Sequence, residues 1–270
     1  MTTSTASSRT GMLPVDDTAL SLTDTRGPGV PVVYLNGSYC GHRPWRPVIS
    51  ELGTGPGADW RHITYDERAR GRSRRSADYS FEACLRDLDA VLETTGVDRP
   101  LLVGWSYGAS LAVHWADRNP DRVLGVVSVD GAVPYGITGE EARARIRRLF
   151  GRMRPLLPLL RPFGLSARMS ADQHAEINIE INEICAALGP VLDRATYPVR
   201  YVLATDGNLG GDREEMERMR ASLDPVLARN PHLRVSAKVA SNHSRILRKD
   251  YRAVAEAVRE IAATHDRGTR

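Results

Sequence analysis

The stretch Leu101-Leu102-Val103-Gly104-Trp105-Ser106-Tyr107-Gly108-Ala109 constrains this chain more than any other. The apolar residues at 101–103 read as a buried strand. Helix-forming and apolar residues continue from 109 to 115, so a strand turns into a helix within a few residues. Where the two elements cross there is no room for side chains. Glycine at 104 and 108, two positions to either side of Ser106, removes the bulk that would hold strand and helix apart. The serine hydroxyl is then lifted out at the carboxyl edge of a sheet. The helix behind it aims N–H groups at any negative charge formed there. Gly-x-Ser-x-Gly is a short motif, and its weight comes from this context.

The rest of the chain alternates strand and helix. Strands read at 31–35, 61–66, 122–129, 199–204 and 233–239. Helices read at 43–52 (broken by prolines), 81–95, 213–228 and 251–263, with Ser80 and Gly96 as caps of the second. Residues 15–23 alternate loosely, as an edge strand or hairpin. Sustained alternation implies parallel strands with helical crossovers. Residues 137–196 break the rhythm with helices alone: 140–153, a Pro- and Leu-rich bend at 155–162, and 171–188. The expected organisation is a disordered lead at 1–14, an α/β core at 15–136 and 197–266, and a helical lid inserted at 137–196.

Composition narrows the partners. An apolar fraction of 41% in 270 residues is enough for one sizeable core. No stretch approaches the length of a membrane span. The Ser- and Thr-rich residues 1–10 lack the apolar region of a signal peptide. Cys40, Cys84 and Cys185 are odd in number, far apart and without metal-type spacing, which suits a reduced, cytoplasmic setting. The net charge of +4 is modest, and no nucleic-acid motif accompanies it. No cofactor is implied: metal-ligand clusters and a G-x-G-x-x-G fingerprint are both absent.

A serine hydroxyl needs a base to take its proton, and the base needs an orienting acid. His243 fits the base, because it follows the last strand on the same sheet edge as Ser106. His42, His62, His114, His174 and His232 fit less well by position. The acid stays open between Asp206, after the strand at 199–204, and Asp130, directly after the strand at 122–129. Asp212 or no acid at all is the remainder. An oxyanion requires two donors: the backbone N–H of Tyr107 and, from the loop after the strand at 31–35, that of Ser38, where Gly37 permits a tight turn.

Taken together, the residues resemble the α/β-hydrolase superfamily, of the lid-bearing serine esterase and lactonase kind. Gly104-Trp105-Ser106-Tyr107-Gly108, Asn36-Gly37, the loop from Tyr65 to Ser73 and Ser241-Asn242-His243 carry the resemblance. It implies an α/β-hydrolase fold: a mostly parallel eight-stranded sheet flanked by helices, with acyl-enzyme chemistry on a carboxylic ester, lactone or thioester. Asn36 stands where many members have His, and Ala69 where Gly is usual. Serine at the elbow points away from the dehalogenase and epoxide-hydrolase branches. The alternative is a non-hydrolytic ligand binder or a cyclase on the same fold.

The lid bears on the substrate. Arg143, Arg145, Arg147, Arg148, Arg152, Arg154, Arg161 and Arg168 crowd it, interleaved with Leu156, Leu157, Leu159, Leu160 and Phe163. One reading is a solvated basic face over an apolar underside. The other is a greasy pocket whose rim favours an anionic acyl substrate or an acidic carrier protein. Trp45, Trp105 and Tyr107 suit a bulky, apolar or aromatic acyl group. Cys40 reads as packing.

Overall fold

The computed structural model describes residues 8–54, 59–207 and 213–268. Eight strands are β1 (Arg9–Val15), β2 (Thr18–Asp24), β3 (Val30–Leu35), β4 (Trp60–Tyr65), β5 (Leu101–Trp105), β6 (Gly125–Val129), β7 (Val199–Ala204) and β8 (Leu233–Val239). They form one sheet in the order β1-β2-β4-β3-β5-β6-β7-β8. β2 pairs antiparallel with β1 and β4, and every other pairing is parallel. The helices are α1 (Arg46–Thr54), α2 (Phe81–Thr95), α3 (Tyr107–Arg118), α4 (Glu140–Met153), α5 (Leu157–Leu160), α6 (Ala171–Ala186), α7 (Gly189–Asp193), α8 (Arg213–Ala221), α9 (Asp224–Arg229), α10 (Ile246–Lys249) and α11 (Tyr251–Gly268).

The mostly parallel eight-stranded sheet follows the sequence pattern. Successive residues of a strand point to opposite faces. Val33, Leu35 and Leu102 therefore join Leu88, Val91, Leu111 and Trp115 in one core layer. Val32, Tyr34, Leu101 and Val103 join Val48, Leu52, Val254 and Val258 in the other. Burial on both faces explains why the central strands read as unbroken apolar runs. Ser80 caps α2 by accepting from Ala83 N–H at 3.2 Å, and Gly96 ends it at φ +63°.

Two expectations need correction. Residues 9–14 are not a disordered lead: β1 starts at Arg9 and folds back on β2 through Asp16, at φ +47°. Leu13 and Val15 pack against the core, which gives the hairpin an apolar anchor. The helix expected at 213–228 is instead α8 and α9. Pro225, near the start of α9, has no N–H to continue a helix from α8.

The residues between β6 and β7 form a helical insertion. α4 packs on α6, and Arg143, Arg147 and Arg154 pair with Glu183, Glu176 and Asp172 across them. A small core of Phe150, Leu157, Ala171 and Ala175 lies beneath. Of the leucines in the bend, Leu157 is buried in that small core. Leu156, Leu159 and Phe163 are 52%, 67% and 76% exposed, because single-turn helices there can bury only one face. Among the described residues, no helix is long and apolar enough to cross a membrane.

Candidate active site

Ser106 joins β5 to α3 at φ +56° and ψ −117°. That backbone is strained for a side chain with a Cβ, by about 1–3 kcal/mol. Hydrogen bonds hold it there: Ser106 N–H donates to the Val129 carbonyl and Ala109 N–H to the Ser106 carbonyl, both at 3.0 Å. A Cβ on Gly104 would collide with the carbonyl of Gly108, and one on Gly108 with the carbonyl of Leu35. Gly131 plays the same part from β6, since a Cβ there would strike the Ser106 carbonyl. Sequence spacing exposes the first two glycines; Gly131 lies outside that motif.

The structure brings Asp130, not Asp206, to His243. Asp130 directly follows β6 at φ +44°. Its N–H donates to the Val202 carbonyl at 2.9 Å, and its Oδ1 accepts from Ala204 N–H at 3.0 Å. The other oxygen, Oδ2, lies 2.8 Å from His243 Nδ1. The carboxylate is buried, and the His243 ring sits 5.5 Å from that of Trp105. Asp206 is exposed, and its carboxylate accepts from Gly207 N–H at 2.9 Å. It touches the histidine loop only through its backbone N–H, which donates to the Ser241 carbonyl at 3.0 Å. The left-handed φ of Asp130 and the Ala204 N–H its carboxylate accepts set the two aspartates apart, and no sequence pattern records either. Asp212 lies outside the described residues.

Ser106, Asp130, His243, Ser38 and Tyr107 all line one cavity of about 290 Å³. Tyr107 opens α3, where backbone N–H groups have no intrahelical acceptor. The Ser38 loop is fixed from below. Asn36 N–H and Nδ2 donate to the two Glu67 oxygens at 2.9 and 2.7 Å, and Trp45 Nε1 donates to Asn36 Oδ1 at 2.9 Å. The buried Arg70 guanidinium donates to the Ser38 carbonyl at 2.9 Å. Burial raises the Glu67 carboxyl to about 7, against the pull of Arg70 and Asn36. Ala69, where related loops carry Gly, indeed holds a left-handed φ of +64°. Trp45 is buried against Tyr34 and serves this scaffold rather than the cavity.

Several wall residues escaped the sequence reading. α6 contributes Asn178, Ile181 and Cys185, whose i, i+3, i+7 spacing was the available signal. Met216, Met219 and Arg220 come from α8. Arg220 Nη2 donates to the Asp206 carbonyl at 3.1 Å, while its Nε is buried without a partner among the described residues. Cys40 stays a packing residue: burial pushes its thiol up to about 12.

The family model for the alpha/beta hydrolase fold matches residues 30–205, and the chain belongs to that family. A haloalkane dehalogenase of Mesorhizobium japonicum is 31% identical over 124 residues, 46% of this chain and 39% of that protein. Epoxide hydrolase B of Mycobacterium tuberculosis is 34% identical over 119 residues, 43% of this chain and 32% of that protein. The matches thus span well under half the length of these curated relatives. An esterase from Exiguobacterium antarcticum superposes with a TM-score of 0.71 at 18% identity, over 93% of this chain and 98% of that one. A haloalkane dehalogenase from Bradyrhizobium elkani gives 0.70 at 18%, over 96% and 100%. At such identities the likeness is one of fold.

Proposed function

We propose that this protein is a serine hydrolase that cleaves a carboxylic ester, lactone or thioester through an acyl-enzyme. One observation carries the reading: the strained Ser106 and the His243–Asp130 pair open onto a single cavity. Ser106 Oγ attacks the acyl carbon while His243 Nε2 takes its proton. Asp130 holds Nδ1–H, fixing the tautomer and stabilising the imidazolium. The N–H groups of Tyr107 and Ser38 receive the oxyanion. His243 then protonates the leaving group, and water, activated by the same ring, releases the acid. The helical insertion, which carries Asn178 and Ile181 to the cavity, acts as the lid. Val133, Tyr135, Leu203 and Met219 offer an apolar acyl group a wall, and Arg220 adds one cation.

Chemistry favours acyl transfer over the reactions for which the dehalogenase and epoxide-hydrolase relatives are named. Serine displacing a leaving group from a saturated carbon would leave an alkyl ether, which water does not cleave at neutral pH. Serine adding to an acyl carbon leaves an ester, which the same histidine can hydrolyse. The test is a fluorophosphonate probe on the folded protein, together with a short p-nitrophenyl ester. Wild type should be labelled at Ser106 and turn over the ester, and Ser106→Ala and His243→Ala should lose both. An unlabelled Ser106, or turnover that survives these changes, overturns the reading and returns the fold to a binding or cyclising role.

A further inference from the structure

Between core loops 39–44 and 66–72 and insertion residues 161–168 lies a second cavity, of about 360 Å³. Arg43, Arg70, Arg72, Arg161 and Arg168 line it, against one carboxylate, Asp66. That carboxylate is already taken. His42 Nδ1 lies 2.7 Å from Oδ1, His42 N–H donates to the same oxygen at 2.8 Å, and Arg72 N–H donates to Oδ2 at 2.7 Å. Among the described residues, none of the five arginines forms an ion pair. Arg70 donates to the carbonyls of Ser38 and Arg68, and Arg168 to those of Gly71 and Ser73. Such bonds satisfy the N–H groups without cancelling the charge. Both oxygens of the buried Glu67 near Arg70 serve Asn36.

Among the described residues, Arg161 Nε is buried with no hydrogen-bond partner, which is costly for a charged donor. The contrast within the insertion is sharp: Arg143, Arg147 and Arg154, facing α6, each have an acid. Of the insertion's arginines without an acid among the described residues, Arg161 and Arg168 line the cavity, while Arg145, Arg148 and Arg152 lie elsewhere, on α4. A concave cluster of guanidinium groups concentrates anions, and their fork geometry matches carboxylate and phosphate oxygens.

The wall between this cavity and the catalytic one is thin. Tyr39 lines the cationic side and Asn178 the catalytic side, and Asn178 Nδ2 donates to the Tyr39 hydroxyl. Arg70 lines the cationic side and holds the carbonyl of Ser38, which lines the other. We propose that the second cavity is an oxyanion subsite that binds a carboxylate or phosphate at the far end of the substrate whose acyl carbon Ser106 attacks. The substrate role rests on the serine-hydrolase reading; the binding of an oxyanion does not.

The test uses p-nitrophenyl half-esters of straight-chain dicarboxylic acids, from succinate to sebacate, against neutral monoacid esters of matched length. Wild type should prefer the charged ester at one chain length by about tenfold or more in kcat/KM, as expected of charge-assisted bonds. In Arg72→Ala/Arg161→Ala that preference should fall to near unity. Arg43→Ala, at an exposed position, should lower it severalfold without touching the fold. A p-nitrophenyl ester ending in a phosphonate separates a phosphate-reading site from a carboxylate-reading one. A preference that is absent in wild type, or that persists in the double variant, overturns the substrate role. Calorimetric titration with glutarate and with inorganic phosphate reads the cavity directly. Binding to wild type that the double variant loses supports the subsite even if no ester is turned over, in which case the hydrolase reading alone falls. No binding of either anion overturns it.

Discussion

Two aspartate–histidine pairs sit at the carboxyl edge of the same sheet, and one of them shares a cavity with Ser106. Asp130 follows β6 and holds His243 Nδ1 at 2.8 Å; Asp66 follows β4 and holds His42 Nδ1 at 2.7 Å. The aspartate side chains are each 1% exposed, and the histidines 25% and 26%. By distance and burial the pairs are interchangeable. Their surroundings differ. His243 shares its cavity with a serine on strained backbone and with the N-terminus of α3. The cavity beside His42 offers guanidinium groups and Cys40, whose thiol burial keeps protonated. An oriented imidazole is thus not a catalytic site. Under the proposed reading, reactivity comes from what the backbone places in the same cavity as the imidazole.

The largest expected effect breaks the symmetry directly. His243→Ala should lower kcat on a short neutral ester by about 10⁵-fold, since triad members act as a unit. His42→Ala should cost no more than about threefold, because a residue outside that unit contributes independently. Equal losses in the two variants would mean that the wrong pair has been placed at the chemistry. Next comes the acid. Asp130→Asn should cost about 10³–10⁴-fold, the penalty for a mis-set tautomer. Asp206→Asn, at an exposed carboxylate bonded only to Gly207 N–H, should leave turnover unchanged. Initial rates on p-nitrophenyl acetate read both comparisons.

The third effect concerns the wall that separates the two cavities. Glu67, fully buried under the Ser38 loop, has its carboxyl raised to about 7 from an ordinary value near 4.5. The folded state therefore binds the extra proton between these values. Its stabilising contribution is complete below pH 4.5 and is lost as pH rises through 7. The full swing is about 3 kcal/mol. Thermal midpoints of wild type and Glu67→Gln, followed from pH 5 to 8, should diverge in slope, with the variant flatter. Parallel curves would show that Glu67 does not titrate in this window.

How much of this was legible depends on the range of the interaction. The elbow, the caps of α2 and the alternation of β3 to β8 rest on local spacing, and all of them read correctly from the chain. Ser106 and His243 could be placed because strand order alone puts both at one edge. The choice between Asp130 and Asp206 could not be read. It turns on a left-handed φ at Asp130 and on an N–H from Ala204, which belong to the pairing of β6 with β7 rather than to local spacing. The arginines of the insertion were equally opaque. Composition shows a crowd, but only the packing of α4 on α6 separates those with acids from those without.

The smallest effect is structural and again sets one pair against the other. Asp66 clamps loop 40–44 to loop 66–72, accepting from the His42 ring, His42 N–H and Arg72 N–H. Burial would raise its carboxyl, but these three donors outweigh it and hold the group below the usual carboxylate value of 3.8. Its contribution is therefore present above that value and is lost as pH falls through the lowered one. Asp66→Asn replaces two acceptors with one and sets an NH₂ against donors. The expected loss is about 2 kcal/mol, the range for buried hydrogen bonds to a charged group. Urea unfolding at pH 7 measures it, and repeating the titration below pH 3.8 should narrow the gap, because the unfolded chain takes up the proton there before the folded one does. Kinetically the variant should behave as wild type toward neutral esters and lose part of its preference for charged ones, since the arginine-lined cavity is built from the loops that Asp66 ties. A stable Asp66→Asn protein with that preference intact would reduce the second pair to a surface contact.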